Sequence, residues 1–226
     1  MNTRIRPKPL CAGLAALAFT VGLFLNTSGT MPTSDAFGLS DETKNPAPST
    51  TQSTPPTAPV QGVRLFPKTM QLAKGKIIAP PSRIRHGSAM GYSFWIQPKK
   101  TFPRWSSILH KGKSDRERGP AVFFHPRSSR LHVRVSTERS WNEGCDSKIS
   151  LALKEWSHVF VQFRPHLAEV YVNGKLNNQC KLGRRIKLNG GPLFAGNPWH
   201  QPAAAAIRDV RLYTRPLSPP QVAKIK

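Results

Sequence analysis

The segment Glu155–Lys175 constrains the possible folds of this sequence more than any other part of it. In its first half, Val159, Val161 and Phe163 alternate with other residues, so these three side chains share one face of an extended strand. Its second half ends in the pair Asn173–Gly174, which readily takes the positive φ angles that a two-residue hairpin turn requires. The segment therefore predicts one strand, a short connection, a second strand and a tight turn.

Short strand patterns recur from Gly62 to the end of the sequence, separated by Gly, Pro, Asn or Asp. In one of them Leu131, Val133 and Val135 share one face and polar residues occupy the other, as in an antiparallel sheet with one face on a core. No amphipathic helix of ten or more residues is visible. Many short strands at this spacing predict an all-β sandwich of two antiparallel sheets. The expected strands are 91–98, 105–112, 121–125, 130–136, 159–163, 170–172, 192–196 and 206–213.

The N-terminal residues resemble a targeting segment. Arg4, Arg6 and Lys8 precede an apolar run over residues 10–25, a pattern typical of a secretory signal peptide or a retained signal-anchor. A mitochondrial transit peptide fits less well, because the run is too continuous for an amphipathic helix. We therefore expect residues 1–30 to direct the protein into the secretory pathway. The domain would be extracellular, or anchored in a membrane through residues 10–25 and held outside the cytosol.

Residues 31–61 are rich in Pro, Ser and Thr and contain little that a core could bury. This composition predicts a disordered stalk that suits O-glycosylation, with an unmodified spacer as the alternative. Residues 62–226 remain for folded structure. A domain of about 165 residues buries roughly 70% of its unfolded surface, so one domain needs no metal or disulfide merely to fold.

The positive charge lies in the domain and not in the N-terminal segments. Only four of the 34 Lys and Arg residues and three of the 11 Asp and Glu residues precede Gly62, which leaves a net charge of +22 on the rest of the chain. Such an excess attracts acidic glycans, nucleic acid or an anionic membrane surface, although it also serves solubility alone. Nucleic acid is not expected, because no aromatic–basic RNA motif is visible and the targeting segment leads away from cytosol and nucleus.

Two of the three cysteines, Cys145 and Cys180, lie in the domain. In an oxidising compartment they can pair and close a loop of about 36 residues, which stabilises a fold by about 3–4 kcal/mol. In a reducing compartment they would remain free thiols. The secretory signal favours the disulfide.

Several blocks of the sequence resemble the laminin-G-like domains of the concanavalin A-like lectin and glucanase family. Trp156–Val159 and Val170–Lys175 are similar to the family's W-x-H-V strand and V-Y-V-N-G-K hairpin. Phe94–Pro98, Leu193–Asn197 and Ile207–Ser218 are similar to its early W-x-x-P strand, its L-x-I-G-N strand and its terminal strand. The blocks occur in family order, and the resemblance implies a jelly-roll of two antiparallel sheets.

The resemblance alone does not select a ligand, because this fold hosts lectins, adhesion modules and hydrolases. It implies a calcium ion at the rim of the sandwich, held by Asp oxygens and backbone carbonyls, with Asp115 and Asp146 as loop candidates. One departure is Arg208, which stands where the terminal strand of the family has its first aspartate. This departure puts any polar or metal role of that acid in doubt.

The sequence predicts no enzyme. Relatives of this fold that cleave glycans carry paired carboxylates on one strand, whereas the one i, i+2 pair of this domain, Asp115 and Glu117, lies in a predicted loop. No Gly-x-Ser-x-Gly elbow is visible. The seven histidines are scattered without H-x₃-H or H-E-x-x-H spacing. No cofactor is therefore certain from the sequence, and calcium, which the resemblance implies, is the one candidate.

Cations and exposed aromatic rings supply the candidate ligand-binding positions. Arginine pairs bidentately with sulfate or phosphate, and a tryptophan in a loop can stack on a pyranose ring. A second basic cluster lies over residues 110–118, whereas Trp95 and Trp156 are assigned to the core. The candidate ligand-binding residues are Lys181, Arg184, Arg185, Lys187, Trp199 and His200.

Together these features predict a lectin-like domain that recognises carbohydrate or glycoproteins without catalysis. Acidic glycans are the preferred ligands on the hypothesis that the +22 charge is functional. A protein–protein adhesion module is the alternative, and a glycan hydrolase is a more distant one.

Overall fold

The computed structural model describes residues 60–87 and 89–225, which form two β-sheets packed face to face. The strands are, in chain order, β1 (Val63–Phe66), β2 (Met70–Gln71), β3 (Ile77–Ala79), β4 (Met90–Pro98), β5 (Ser106–Lys111), β6 (Ala121–Phe124), β7 (Arg130–Val135), β8 (Glu143–Ser150), β9 (Ser157–Arg164), β10 (Leu167–Val172), β11 (Lys175–Lys181), β12 (Leu193–Ala195), β13 (Gln201–Pro202) and β14 (Ala205–Tyr213). The helical elements of the described residues are a 3₁₀ turn at Pro81–Arg83 and α1 (Pro219–Lys224).

Within the described residues each sheet has seven strands. The first sheet has the order β1–β14–β4–β9–β10–β11, and β2 also pairs with β14. The second sheet has the order β3–β12–β5–β6–β7–β8, and the short β13 pairs in parallel with β5. The main pairs are antiparallel, which confirms the predicted two-sheet antiparallel sandwich.

The core fills the space between the sheets because the inward faces of both are apolar. On β9, Val159, Val161 and Phe163 are at most 1% exposed, as the alternation of the sequence predicted. On β7 of the opposite sheet, Leu131 and Val133 are fully buried against the same core. Burial of this kind contributes about 1.5–3 kcal/mol for each large apolar side chain.

The predicted hairpin turn joins β10 to β11. Asn173 and Gly174 have φ angles of +52° and +80°, the left-handed values that this pair adopts at low cost. The Asn173 side-chain oxygen also accepts a hydrogen bond from the backbone N–H of His158 at 2.9 Å. The turn is therefore tied to the start of β9.

The outer face of the first sheet is covered by α1. Phe160 and Tyr171 project outward from this sheet and pack against Leu217 and Val222 in a second apolar cluster. Gln162, which is 1% exposed, donates to the Leu217 carbonyl at 3.0 Å and accepts from its N–H at 2.9 Å. This sheet therefore has less outward surface available for a ligand than the second sheet.

The predicted disulfide is confirmed. Cys145 on β8 and Cys180 on β11 are bonded, with their Cα atoms 5.4 Å apart. β8 is the last strand of the second sheet and β11 is the last strand of the first sheet. The bond therefore joins the two sheets along one edge of the sandwich.

Each of the eight expected strands is present, but six further strands were not predicted: β1, β2, β3, β8, β11 and β13. The two longest of these, β8 and β11, are mostly polar, so they lack a clear period of two. The predicted signal segment (1–30) and nearly all of the predicted stalk (31–61) lie outside the described residues. Among the described residues, no helix has the length and apolar character needed to cross a bilayer.

Candidate functional site

The outward face of the second sheet carries aligned polar and aromatic side chains. Because side chains alternate along a strand, Phe123 on β6 and His132 on β7 point away from the core that their neighbours fill. In the register of the sheet, His132 stands opposite Phe123 on one side and opposite Asp146 on the other. These three residues form one row across β6, β7 and β8.

Asp146 is the polar centre of this face. Its carboxylate lies 2.9 Å from His132 Nδ1, 3.1 Å from His125 Nε2 and 2.8 Å from Arg134 Nη2. All four side chains are partly buried, with Asp146 27% exposed and His132 13% exposed. Three chain segments therefore supply one compact cluster.

The cluster is charged at neutral pH on Asp146 and Arg134. Partial burial alone would raise the pKa of Asp146, but the hydrogen bond with His132 and the charge of Arg134 lower this pKa to about 2. Burial lowers the pKa of both His125 and His132, although Asp146 acts in the opposite direction. Both imidazoles are therefore expected to be neutral at pH 7.

Trp105 lies against this cluster and remains partly open to solvent. Its ring centroid is 4.7 Å from that of His125 and 4.3 Å from that of His132. The residue is nevertheless 38% exposed. Its outer ring surface is available, while the two imidazoles fix its position.

A buried arginine supports a second exposed tryptophan. Arg118 is 5% exposed, and its guanidinium lies 4.5 Å from the ring centroid of Trp141 and 5.2 Å from that of Phe123. Its Nη2 donates to Asp115 at 3.1 Å. Trp141 itself is 40% exposed and also lies 5.7 Å from the guanidinium of Arg116.

The loop after β12 adds a third exposed tryptophan. Asn197 is fully buried, and its side-chain oxygen accepts hydrogen bonds from the backbone N–H groups of Trp199 at 3.1 Å and His200 at 2.8 Å. Trp199 packs on His110 and Phe194, with ring centroids 5.0 and 5.8 Å away, and stays 39% exposed. The asparagine of the predicted L-x-I-G-N block therefore holds the ring-bearing loop in place.

These groups are connected by direct contacts. The ring centroid of His200 lies 5.0 Å from that of Phe123, and its Nδ1 lies 3.5 Å from a carboxylate oxygen of Asp115. The loop that carries Trp199 therefore contacts Phe123, which packs on His132, and Asp115, which binds Arg118. We refer to this surface as the aromatic face. It comprises Trp105, Asp115, Arg118, Phe123, His125, His132, Arg134, Trp141, Asp146, Trp199 and His200.

The predicted cationic residues form an exposed loop whose backbone is fixed at several points. Leu182 is 3% exposed, and the Lys187 N–H donates to the Ser136 carbonyl at 2.8 Å. The Glu138 N–H donates to the Arg185 carbonyl at 2.9 Å. The side chains of Arg184, Arg185 and Lys187 are exposed, while Lys181 ends β11 on the other sheet.

The four cations do not converge on one site. Lys187 lines a cleft of about 450 Å³ together with Trp141, Arg116 and Arg139, next to the aromatic face. Arg184 lies at a separate open depression with Arg139. Arg185 lines a mostly apolar groove beside His166. Of the six predicted ligand-binding residues, Trp199, His200 and Lys187 therefore lie on or beside the aromatic face, and the others lie elsewhere.

The second basic cluster predicted over residues 110–118 is only partly exposed. His110, Lys111 and Arg118 are 0%, 1% and 5% exposed, whereas Lys113 and Arg116 are exposed. Lys111 Nζ donates to the Asn189 side-chain oxygen at 2.8 Å, and burial lowers its pKa to about 8. The three buried groups position loops, and they do not present charge to a polyanion.

The assignment of Trp95 and Trp156 to the core is wrong. On β4 the neighbours of Trp95, Phe94 and Ile96, are fully buried, so the pleat turns Trp95 to the outer face of the first sheet. The guanidinium of Arg208 lies 5.5 Å from the Trp95 ring centroid and 4.3 Å from that of Trp156. The arginine that departs from the family pattern thus packs with two tryptophans.

The two acids considered for calcium do not provide calcium-type surroundings. Asp146 lies on a strand and not in a loop, and its neighbours are two imidazoles and a guanidinium. Asp115 lies in a loop but is bound by Arg118 and approached by His200. Calcium requires six to eight oxygen ligands, which neither environment supplies. A calcium site elsewhere on the rim stays a prediction.

The histidines of the cluster were not recognised in the sequence as a group. His125 and His132 lack a metal-type spacing, and Asp146 lies 14 residues beyond His132. The one indication in the sequence was the alternation along β7, which places His132 and Arg134 on the face opposite to its apolar residues. The partner strand β8 was not predicted, so nothing in the sequence placed Asp146 beside them.

Comparison with known proteins supports the fold. A family model described as the concanavalin A-like lectin/glucanases superfamily, of the laminin-G type, matches residues 73–223. A comparison with curated protein sequences gives no match.

Solved structures of similar shape include binding domains of botulinum neurotoxins. The serotype G binding domain is 18% identical with a TM-score of 0.48, over 62% of this chain and 36% of that chain. The serotype D binding domain is 16% identical with a TM-score of 0.45, over 60% and 36%. The type DC binding domain, in complex with rat synaptotagmin II, is 17% identical with a TM-score of 0.44, over 60% and 34%. The match spans little more than a third of each of these structures.

The predicted resemblance is thus confirmed independently by the family model and by the two-sheet architecture. The family match covers most of the described domain, including the strands that build the aromatic face. This chain belongs to the concanavalin A-like lectin/glucanase superfamily.

Proposed function

We propose that this domain binds carbohydrate on its aromatic face and does not catalyse a reaction there. The observation that carries the proposal is the arrangement of three tryptophans, each 38–40% exposed, around a partly buried set of charged and neutral hydrogen-bonding groups. The three are Trp105, Trp141 and Trp199. A group of exposed aromatic rings on one face is typical of an interaction surface, whereas a single exposed ring needs no explanation.

The chemistry of this surface matches that of a sugar ring. A pyranose presents apolar C–H groups on its faces and hydroxyl groups at its edges. The tryptophan rings offer a flat apolar surface on which the C–H groups can stack. Each ring is held in position by a neighbouring side chain of the protein. The carboxylate of Asp146 accepts hydrogen bonds from hydroxyls, and Arg134 and the histidines donate to their oxygens.

A preference for acidic glycans is the finer part of the proposal. The cleft beside Trp141 is lined by Arg116, Arg139 and Lys187, and its two acids are Glu117 and Glu138. Cations therefore outnumber acids in the cleft, and the domain as a whole carries +22. A sulfate or carboxylate on a sugar stacked on Trp141 would lie within this positive field.

The absence of catalysis is proposed from the state of the acids. Glycoside hydrolysis needs two carboxyl groups beside the scissile bond, one of which must donate a proton. On the aromatic face, Asp115 and Asp146 each accept a hydrogen bond from an arginine, Arg118 and Arg134 respectively. The hydrogen bond with His132 and the charge of Arg134 lower the pKa of Asp146 to about 2, so this carboxylate is unsuited to donate a proton at neutral pH.

We further propose that the ligand is a glycan or glycoprotein outside the cytosol. The disulfide between Cys145 and Cys180 is typical of proteins from oxidising compartments. The signal-like pattern over residues 1–30 agrees with that location.

The test is a glycan array with the full chain, followed by titration of the best ligand into variants. We expect Trp141→Ala to weaken binding by about 10–30-fold, because an exposed aromatic anchor contributes about 1.4–2 kcal/mol. Trp156→Ala is the matched control, since Trp156 is also a partly exposed tryptophan packed on an arginine but lies beside the first sheet. Its affinity should equal that of the wild type.

Two results would contradict the proposal. One is equal loss of affinity in both tryptophan variants, which would place the ligand elsewhere or indicate general disruption. The other is a chain that binds no glycan but captures a glycoprotein equally well before and after enzymatic deglycosylation. That second result would favour the protein–protein adhesion module.

The acidic preference has its own test at Lys187. Lys187→Ala should weaken binding of a sulfated or carboxylated glycan by up to about fivefold, because one exposed ion pair contributes about 0–1 kcal/mol. The loss should shrink as salt is raised, since exposed charges are screened. Lys175→Ala removes the same charge from the hairpin of the first sheet and should have no effect. Equal effects of the two lysine variants would show that the preference for acidic glycans depends only on the net charge of the domain.

A further inference from the structure

The cluster around Asp146 has the geometry of an open metal site. One ligand atom each from His125, His132 and Asp146 lies within 4.8 Å of the other two. The shortest contacts are 2.9 Å from His132 Nδ1 and 3.1 Å from His125 Nε2 to the carboxylate oxygens. Tetrahedral zinc, with bonds of about 2.0–2.2 Å, holds its ligand atoms about 3.3–3.5 Å apart. Small movements of these side chains therefore suffice to admit an ion.

The elements that carry the three residues fix them relative to one another. His132 and Asp146 are opposite residues of the paired strands β7 and β8. His125 follows β6 directly, and its backbone N–H bonds to the Arg130 carbonyl at 3.1 Å. A site on adjacent strands and their tight connection is largely formed before any ligand arrives.

Two buried nitrogens of the cluster, His125 Nε2 and Arg134 Nε, have no well-directed hydrogen bond to the residues that the structure describes. His125 Nε2 lies 3.1 Å from an Asp146 oxygen, close enough for an ion-pair contact. A buried polar atom without a well-directed partner is less stable than a satisfied one. A cation bonded to His125 Nε2 and to the carboxylate would satisfy both groups.

Arg134 leaves one carboxylate oxygen for an ion. Its Nη2 donates at 2.8 Å to Asp146 Oδ1, which His132 Nδ1 also contacts at 2.9 Å, and His125 faces the other oxygen, Oδ2. A hydrogen bond to the second oxygen of a metal-bound carboxylate is the usual outer contact that orients such a ligand. The positive charge of Arg134 opposes the ion, so we expect weaker binding than at a structural zinc site.

We propose that His125, His132 and Asp146 bind one divalent first-row transition-metal ion, with zinc as the best fit. Two imidazoles and one carboxylate are a ligand set for zinc, copper or nickel, and they do not suit calcium or magnesium. Three protein ligands leave a fourth position open, and the partial exposure of all three side chains places it on the solvent side, beside Trp105. The site stands on these contacts whether or not the aromatic face binds a glycan.

The experiment measures metal binding by the full chain without a histidine tag. The third cysteine of the sequence, Cys11, is replaced by serine in every sample so that it cannot bind the ion. Titration calorimetry with Zn²⁺ should give one ion per chain, and Co²⁺ should produce the strong visible absorption of four-coordinate cobalt. His125→Gln and His132→Gln should each weaken Zn²⁺ binding by at least about tenfold, since even outer contacts of a metal site contribute that much.

His166→Asn is the matched control. His166 is an exposed histidine in the turn between β9 and β10, where its φ is +62°, a value that asparagine tolerates well. This variant should keep one Zn²⁺ per chain with unchanged affinity. Circular dichroism confirms that each variant is folded.

Several results would overturn the proposal. These are the absence of stoichiometric Zn²⁺ binding by the folded wild type, binding that survives in both glutamine variants, and binding lost in His166→Asn. If a glutamine variant fails to fold, the Co²⁺ spectrum of the wild type decides, because octahedral cobalt or no visible bands would exclude the site.

Discussion

Replacement of both Cys145 and Cys180 by serine should lower the free energy of unfolding by about 3–4 kcal/mol, because their bond closes a loop with a sequence separation of 35. The reason is that the bond restricts the unfolded chain, and it also joins the last strands of the two sheets. Denaturant unfolding of the full chain under oxidising conditions measures this difference. Because the total free energy of unfolding of a native protein is only about 5–15 kcal/mol, this loss would remove a large part of the stability of the domain.

Two controls isolate the disulfide. Cys11→Ser should leave the unfolding midpoint unchanged, since that cysteine takes no part in the bond. Addition of a reductant strong enough to open the bond should bring the wild type down to the stability of the double variant. Equal stability of wild type and double variant under oxidising conditions would show that the bond does not restrict the unfolded chain as described.

Phe123→Ala should destabilise the fold by about 3–5 kcal/mol, the usual cost of emptying a buried phenylalanine position. Phe123 is 2% exposed although it faces away from the core, because His132, His200 and Arg118 pack around its ring. The next residue, Phe124, is 1% exposed and belongs to the main core. Phe124→Ala should cost a similar amount in the same unfolding experiment.

Loss of the two phenylalanines should have different effects on glycan binding. The milder Phe123→Leu and Phe124→Leu variants, which are expected to stay folded, separate the effects. Only Phe123→Leu should weaken glycan binding, since it loosens the contacts that connect the three exposed tryptophans. Equal glycan affinity in both leucine variants would show that Phe123 does not support the binding surface.

The sequence was sufficient to predict the strands that have a clear period of two. The segment Leu131–Val135 alternates apolar and polar residues, and Val159–Phe163 has an apolar residue at every second position. The structure places Leu131, Val133, Val159, Val161 and Phe163 in the core. Lys175–Lys181 and Glu143–Ser150 were missed because nearly all of their side chains are polar or small. Those two strands exist because neighbouring strands and the disulfide hold them, which is a tertiary effect that local pattern does not contain.

The residues of the candidate site were predicted only in part. Trp199 and His200 were recognised because the Gly-Asn-Pro stretch before them marks a loop, where an aromatic ring is conspicuous. The cluster of His125, His132 and Asp146 depends on how β6, β7 and β8 pair, and strand order cannot be read from spacing along the chain.

Charge was the weakest guide to the site. The sequence grouped the cations of residues 181–187, but the structure directs Lys187, Arg184 and Arg185 to three different depressions. Neighbours in a loop point in different directions, so a run of charges does not define a surface. The aromatic side chains were a better guide to the candidate site, because a large ring packs against neighbouring residues and so has a defined position.

We expect carbohydrate to bind to the outer face of the second sheet. The five tryptophans divide between the two sides of the sandwich, with Trp105, Trp141 and Trp199 on the aromatic face and Trp95 and Trp156 on the other sheet. The most direct measurement is to follow the five indole N–H resonances of the full chain by NMR while the best ligand from the glycan array is added. Signals of the three tryptophans on the aromatic face should shift with a common affinity, and the signals of Trp95 and Trp156 should stay in place. Shifts confined to Trp95 and Trp156, or saturable glycan binding with no shift of any of the other three, would show that the ligand binds elsewhere.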